Sequence, residues 1–539
     1  MPSNLFISYS HLDELFITDF LKHITLLKQN ELISEWYDRK ILGGQEFQEK
    51  IDEKIEIADI ICLFISANFL SSEACIKEKE KALRLKKTNG VTVIPIILSH
   101  CAWTDLKDIS VALAFPIDGK PISSYEDPNI GWVEVYNGLK KIIKKINKEK
   151  MATNTDIFQK FLNDAEVLKT AHSQKTEVKI SDIFVFPNLS KINYDEEKEV
   201  AVSSEDVFFD EFFDLEKILI AGESQSGKTT LCKILYSQLR ARKYFPVYLF
   251  DKEQKYDGFI NNRIEKSFSE QYENISFSDV DISKIIIIID GFHYASADKK
   301  YRILKDMEKY LHQIIIVDDI FALNINDENL MKSYSRYKIE QFGPLLRDKL
   351  IRKWILLTDD ISSINYRDND FYKKLDNATE FVDNALGKLI NEGILPAFPV
   401  FILSILSTHE TFDKPLDQEI TSQGYCYQAL IYIYLRKQGV NNDEMDIYIN
   451  FLSVLAYYFF SNNVSELSED DFKEFFQKYN EKYYFPIKID VVLRNLQSQR
   501  MLIKTSLGNY GFYYLYLYYY FVAKYISDHL SEKKMILKN

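Results

Sequence analysis

The nine residues Gly222-Glu223-Ser224-Gln225-Ser226-Gly227-Lys228-Thr229-Thr230 constrain this chain more than any other stretch. They fit G-x4-G-K-S/T, with the apolar run Ile218-Leu219-Ile220 before them and the helical stretch Leu231–Leu239 after them. Strand, glycine-bearing loop and helix in that order are what a phosphate-cradling loop requires. Successive backbone N–H groups ring the phosphate, and the helix N-terminus favours negative charge there. Gly222, Gly227 and Thr230 belong to the loop, Lys228 reaches the terminal phosphate oxygens, and Thr229 ligands Mg2+. A carboxylate for the same Mg2+ belongs at the end of a buried strand. Asp290, directly after Ile285–Ile289, supplies it. The expected cofactor is ATP or ADP with Mg2+, and a chain that displays such a loop is of the α/β class.

At 539 residues and 63.3 kDa the chain exceeds one hydrophobic core, so two to four domains are expected. Apolar residues at 46% and charged residues at 27% exclude global disorder. A net charge of −13 argues against a whole-chain nucleic-acid binder. The five cysteines are scattered and never spaced C-x2-C, which argues against a disulfide scaffold and a structural zinc site. The opening MPSNLFISYS lacks the basic and apolar regions of a signal peptide, and no run of about 18 apolar residues occurs. A cytoplasmic protein without membrane association is the expectation.

Three blocks separate by pattern. In 1–147 short apolar runs (Leu5–Tyr9, Ile33–Tyr37, Ile60–Ile65, Val91–Leu98) alternate with helical stretches (Leu12–Gln29, Phe47–Ile57, Cys75–Lys86, Trp132–Ile146). In Leu12–Gln29 apolar residues at helical spacing include Leu15, Phe16, Phe20, Leu21, Ile24 and Leu27. This rhythm predicts a doubly wound parallel sheet. The lysine-rich run Lys140–Lys150 leads into 148–200, which shows no strong period and reads as a linker with some helix. A second α/β block, 201–345, carries the phosphate loop. The rest, 346–539, turns helical and aromatic, with helices expected at Leu350–Leu357, Asn384–Ile390, Cys426–Leu435, Ile447–Phe460 and Asp470–Tyr479.

In the first block FISYS-x2-D (Phe6–Asp13), W-x-D-R-x-I-x-x-G (Trp36–Gly44) and S-x3-C-x2-E (Ser71–Glu78) follow one another. With Val93–Leu98, Trp103 and Trp132 they resemble bacterial TIR domains in order and spacing. Catalytic members of that family cleave NAD+ at the nicotinamide–ribose bond. They carry a glutamate three residues after the cysteine of a Trp-Cys pair. Here Cys75 matches the cysteine, Glu78 the glutamate, and Ala74 replaces the tryptophan. The resemblance implies Glu78 as the catalytic carboxylate, with Ser8, Trp36, Tyr37, Gly43 and Gly44 lining the NAD+ cleft. Glu78 also stands in the charged run Lys77–Lys81, where a solvated face of i,i+4 pairs is the plainer reading and Glu80 the neighbouring alternative.

The later blocks resemble the STAND group of P-loop ATPases, the NACHT and NB-ARC relatives. Beyond the phosphate loop and Asp290, Phe342-Gly343 and Arg347–Trp354 resemble the start of their helical region. Pro396 or Pro399 stands for the proline that packs on adenine, and 480–525 resembles a winged-helix end. Two features depart: Gly291 stands where hydrolysing relatives carry a second acid, and Asp318-Asp319, without an arginine, follow the strand Ile314–Val317. Nucleotide binding is therefore better founded than turnover.

Together these resemblances imply an immune-type effector in antiphage defence. ATP-dependent homo-oligomerisation through the TIR and ATPase domains would switch on NAD+ hydrolysis. The trigger would be a phage component or a separate sensor protein. The alternatives are a non-enzymatic TIR scaffold switched by nucleotide, or a TIR domain producing a cyclic ADP-ribose-type messenger.

Overall fold

The four apolar runs of the first block become four parallel strands. β1 (Ser3–Ser8), β2 (Ile33–Trp36), β3 (Ile60–Ile65) and β4 (Thr92–Ile97) lie in the order β2-β1-β3-β4. The computed structural model describes residues 2–36, 47–110, 113–165, 172, 174–192, 201–223, 225–250, 260–295, 297–318, 333–358, 372–373, 375–380, 382, 396–411, 431–432, 435, 440–483, 488–498, 501–505, 508–513 and 515–529.

Successive side chains of a strand point to opposite faces. Leu5 and Ile7 therefore join Phe20, Ile24, Trp132 and Leu139 on one face. Phe6 joins Ile55, Ile61, Ala82 and Leu85 on the other. Every residue of β3 is buried, as in a central strand covered by helices on both sides. The expected doubly wound sheet is thus present.

The stretch expected as one helix over Leu12–Gln29 is broken. A 3-10 turn at His11–Asp13 precedes the helix Glu14–His23, and Ile24 separates it from Thr25–Gln29. Ile17, Phe20, Ile24 and Leu27 form the buried face, whereas Leu15 is 83% exposed on the opposite one. Helical periodicity with apolar residues on both faces does not say which face the sheet selects. The helix expected at Cys75–Lys86 runs over Glu73–Asn89. Ser72 Oγ accepts from the Cys75 N–H at its start, and Gly90, at φ +59°, closes it in the left-handed conformation.

Two compact units divide the chain: Met1–Leu162, Leu189–Gly222 and Leu231–Lys338 form the first, and the remainder the second. The first unit's other strands, in chain order, are β5 (Thr153–Asn154), β6 (Asn188–Lys191), β7 (Ala201–Ser203), β8 (Lys217–Ala221), β9 (Phe245–Phe250), β10 (Tyr272–Glu273), β11 (Ile285–Asp290), β12 (His312–Val317) and β13 (Ser335–Ile339). β5 pairs with β10, and seven strands form a sheet in the order β7-β6-β13-β8-β12-β11-β9. The segment 148–200, read as a linker, therefore holds β5, the helix Asp156–Asn163 and β6. The lysine-rich run lies inside the helix Pro128–Met151, where Lys145, Lys148 and Lys150 pair with Asp281, Asp279 and Asp59.

The second unit is mostly helical, with Pro344–Ile355, Pro399–Thr411, Asn442–Ser461, Glu469–Tyr483, Ile489–Ser498 and Leu515–Asp528. Trp354, Leu452, Leu455 and Phe521 are fully buried in its core. β14 (Glu466–Leu467), β15 (Leu502–Lys504) and β16 (Tyr510–Phe512) form a small antiparallel sheet, β14-β16-β15, so helices followed by a hairpin occupy the stretch read as winged-helix-like. The helix expected at Asn384–Ile390 lies outside the described residues, as does most of Cys426–Leu435. Among the described residues no helix is long and apolar enough to cross a membrane.

Candidate functional site

Two constellations stand at the carboxyl ends of parallel strands, where open α/β sheets bind ligands. The first is built on β1. Its last residue, Ser8, is buried and donates its hydroxyl to Glu78 Oε2 at 2.5 Å. Glu78 is half-buried in the second turn of the Glu73–Asn89 helix, and Glu80 is exposed. The charged run around Glu78 sorts by residue. Lys77 pairs with Glu73 on the solvated face of the helix, and Lys81, partly buried, bridges to Asp52 and Glu56 of the helix Phe47–Glu56. Glu78 instead reaches the strand end.

Asp13 holds the loops that frame this pair. It is 5% exposed and accepts from Ser66 Oγ at 2.5 Å and Asn68 Nδ2 at 2.8 Å. Ser66 Oγ in turn accepts from the Phe69 N–H, capping the short helix that follows β3. The loop after β1 is thereby tied to the loop after β3. Trp36 is half-buried, and its ring stacks on Phe6 with centroids 5.2 Å apart, so that face is used by the core. Ala74, in place of the family's tryptophan, is exposed, and Cys75 beside it is buried. Tyr37, Gly43 and Gly44 lie outside the described residues. Burial raises the Cys101 thiol, and the Asp13 charge adds to this, so Cys101 is a poor nucleophile.

The second constellation follows β8. Gly222 N–H donates to the Val317 carbonyl, and the helix Lys228–Ala241 opens at the motif lysine. Gly227 has φ +93°, and a Cβ there would meet nothing within 4 Å, so the loop leaves open space at the glycine. Ser226 Oγ is buried without a hydrogen-bond partner among the described residues, and Lys228 Nζ folds back onto the Glu223 carbonyl at 2.7 Å. An open cradle with an orphaned hydroxyl and an ammonium suits a phosphate. Asp290 ends β11 in register with Ile316 of β12, and Val317 is in register with Ala221 of β8. The carboxylate thus stands at the sheet edge where β8 ends. It is 3% exposed and accepts from Tyr248 Oη at 2.9 Å. Gly291 has φ +79°, and a Cβ would lie 2.9 Å from the Tyr294 ring, so an acid in this turn needs a strained backbone and a shifted Tyr294 ring. Pro399 opens a helix, and the Pro396 carbonyl accepts from the Phe398 N–H.

A family profile described as "TIR domain" matches residues 5–124. Residues 5–124 form a TIR domain. A second profile, "Novel STAND NTPase 4", matches residues 465–522. An uncharacterized protein, y4lF, of Sinorhizobium fredii (strain NBRC 101917 / NGR234) is 34% identical over 149 residues. That match covers 28% of this chain and 46% of the relative, so the chain spans about half of that protein's length. Among solved structures, Cdc6p from Pyrobaculum aerophilum is 10% identical, with a TM-score of 0.21, over 58% of this chain and 88% of its own. A RuvB variant from Thermotoga maritima is 14% identical, with a TM-score of 0.23, over 55% and 85%.

In the TIR domain, then, the structure joins Ser8 to Glu78 and gives Trp36 to packing. Two groups were not singled out from sequence. Asp13 lies within the TIR motif, but its partners are distant in the chain. His293 Nδ1 accepts the Asp318 N–H at 3.2 Å, and its Nε2 lies 2.9 Å from Asp318 Oδ2, so it ties the residues that follow β11 and β12 together. A histidine three residues after Asp290 was the available signal.

Proposed function

We propose that this chain is a nucleotide-controlled TIR effector that cleaves NAD+ at the nicotinamide–ribose bond. The observation that carries this is the Ser8–Glu78 hydrogen bond at the carboxyl end of β1. Nicotinamide on ribose is already a cationic leaving group, so the reaction needs no acid. Bond breaking leaves an oxocarbenium-like sugar. A carboxylate beside it stabilises the developing charge and accepts from ribose hydroxyls. Ser8 fixes the direction of that carboxylate before substrate arrives, so reorganisation does not add to the barrier.

Control belongs to the nucleotide. Gly222, Gly227, Lys228, Thr229 and Thr230 would hold the phosphates of ATP or ADP, with Thr229 and Asp290 as the protein ligands of Mg2+. Bound Mg2+ would neutralise phosphate charge. With glycine at 291, nucleotide acts as a switch rather than a fuel. In this reading ATP favours a homo-oligomer, and clustered TIR domains complete sites that a monomer lacks. Depletion of NAD+ in an infected cell is the antiphage outcome, after a trigger from the phage or a separate sensor.

The test is NAD+ consumption across a protein-concentration series, with and without ATP–Mg2+. Consumption should rise more steeply than protein concentration, need ATP, and vanish in Lys228→Ala. Consumption that is proportional to protein and indifferent to nucleotide would refute nucleotide control.

A further inference from the structure

The helix that begins at the phosphate-loop lysine ends on the TIR domain. Lys228–Ala241 is 14 residues, a rod of about 21 Å at ~1.5 Å per residue. Near its far end Arg240 Nη2 donates to the carbonyls of Glu149 (3.2 Å) and Ala152 (3.0 Å), which close the helix Pro128–Met151 that packs on the TIR sheet through Trp132 and Leu139. A cation on terminal carbonyls is a favourable helix C-cap. The turn after the rod continues the grip. Lys243 Nζ lies 2.9 Å from Asp59 Oδ1 and donates to the Ala58 carbonyl at 2.8 Å, just before β3. Tyr244 Oη donates to the Lys87 carbonyl. Gly90 lets the backbones approach, since a Cβ there would lie 3.3 Å from the Arg242 carbonyl and 3.4 Å from that of Lys243.

Asp59 is the centre of this contact. It is 5% exposed, receives the Asn4 N–H at 2.8 Å, and pairs with Lys150 of the Pro128–Met151 helix as well as Lys243. Burial alone would raise its carboxyl. The two lysines and the Asn4 N–H outweigh that and hold it below the usual carboxylate range. Beside Lys87, Gly90 and Tyr244 the junction is hollow. A cavity of about 540 Å³ lies between Lys86, Lys87 and Val93 on the TIR side and Phe213, Lys284 and His312 on the other. An interface of polar contacts around a cavity is one that can open, unlike a continuous apolar seam.

We propose that the Lys228–Ala241 rod and the Asp59–Lys243 pair form a latch between nucleotide and TIR domain. The phosphate loop sits at one end of a rigid helix, and the grip on the TIR domain at the other. A change at the loop that shifts the rod therefore loosens the grip and releases the TIR domain. The proposal deepens the nucleotide control argued above and rests on it, but not on NAD+ cleavage.

Amide hydrogen exchange of the full chain tests it without measuring activity. Lys243→Glu should speed exchange at 58–60 and 87–91 by about tenfold, leaving 286–289 in β11 unchanged. Lys243→Asn, which suits the φ of +67° at this position, should give a smaller shift of the same sign. ATP–Mg2+ added to the unsubstituted chain should speed the same two segments, and not in Lys228→Ala. Unchanged exchange at 58–60 in both Lys243 variants would overturn the latch. Protection of the phosphate loop by ATP–Mg2+ with 58–60 and 87–91 unmoved would overturn the coupling while leaving nucleotide binding intact. Exchange that rises across 286–289 as well in Lys243→Glu would mark general unfolding, and Lys243→Asn then decides.

Discussion

Ser8 and Glu78 stand 70 residues apart in the chain and share a 2.5 Å hydrogen bond at the carboxyl end of β1. The strand supplies the donor and the Glu73–Asn89 helix the acceptor, so each fixes the other's rotamer. A hydroxyl donating to a carboxylate is a charge-assisted bond, about twice as strong as a neutral one. Ser8→Ala removes that bond and leaves the carboxylate in place. NAD+ cleavage should fall by about tenfold, chiefly in kcat, because orientation of the transition-state contact is what is lost. Steady-state kinetics of the assembled protein checks this.

Asp13 should matter to stability before it matters to rate. In Asp13→Ala the Ser66 hydroxyl and the Asn68 amide lose a buried acceptor. A cost of about 2–3 kcal/mol is expected, at the upper end for an unpaired buried group. Asp13→Asn, which keeps one acceptor oxygen, should fall between the two. The denaturation midpoint of the TIR domain reads the difference.

Restoring an acid after Asp290 should fail. Gly291→Asp would introduce a Cβ 2.9 Å from the Tyr294 ring at a φ of +79°. Strain of about 1–2 kcal/mol precedes any benefit of the carboxylate. Phosphate release should not rise above that of the unsubstituted chain, and the melting temperature should drop. Faster ATP turnover with an unchanged melting temperature would show that the turn is more forgiving than its geometry.

Acid should weaken the TIR–nucleotide-domain unit through His312. Burial, then the nearby Lys87 charge, lower its imidazole to about 4. Phe212, Phe213 and Tyr244 surround the ring. The unfolded chain titrates near 6.5 and so binds the proton first as pH falls. Stability is full above about 6.5, declines down to about 4, and the loss is on the order of 3 kcal/mol. His312→Phe should flatten that slope in urea unfolding between pH 7 and pH 4. Asp59, whose folded value is depressed, adds a separate loss at the acid end of the range.

Legibility in the sequence followed the length and purity of each apolar run. Ile60–Ile65 and Ile285–Ile289 are uninterrupted and became fully buried central strands. Asn188–Lys191 has one strong apolar residue, Leu189, and is a strand only because it lies beside β13 in the sheet. No local pattern announces that pairing. The Ser8–Glu78 contact joins two residues that the motifs of the first block had each singled out. The Asp13–Ser66 and Asp59–Lys243 contacts join residues far apart, with ordinary surface-type side chains, and only the folded chain brings them together. Leu15 shows the opposite failure: it fits a helical stripe, yet the sheet takes the face bearing Ile17 and Phe20.

The most direct measurement is nicotinamide release from NAD+ by the chain clustered through a multimerising fusion, compared with Glu78→Gln and Glu80→Gln in the same fusion. Release by the unsubstituted and Glu80→Gln proteins, lost by at least a hundredfold in Glu78→Gln, is the predicted result, on the order expected for removing the charge that faces the transition state. Equal release by the Glu78→Gln protein, or none by any of the three, would contradict a Glu78-dependent NAD+ cleavage.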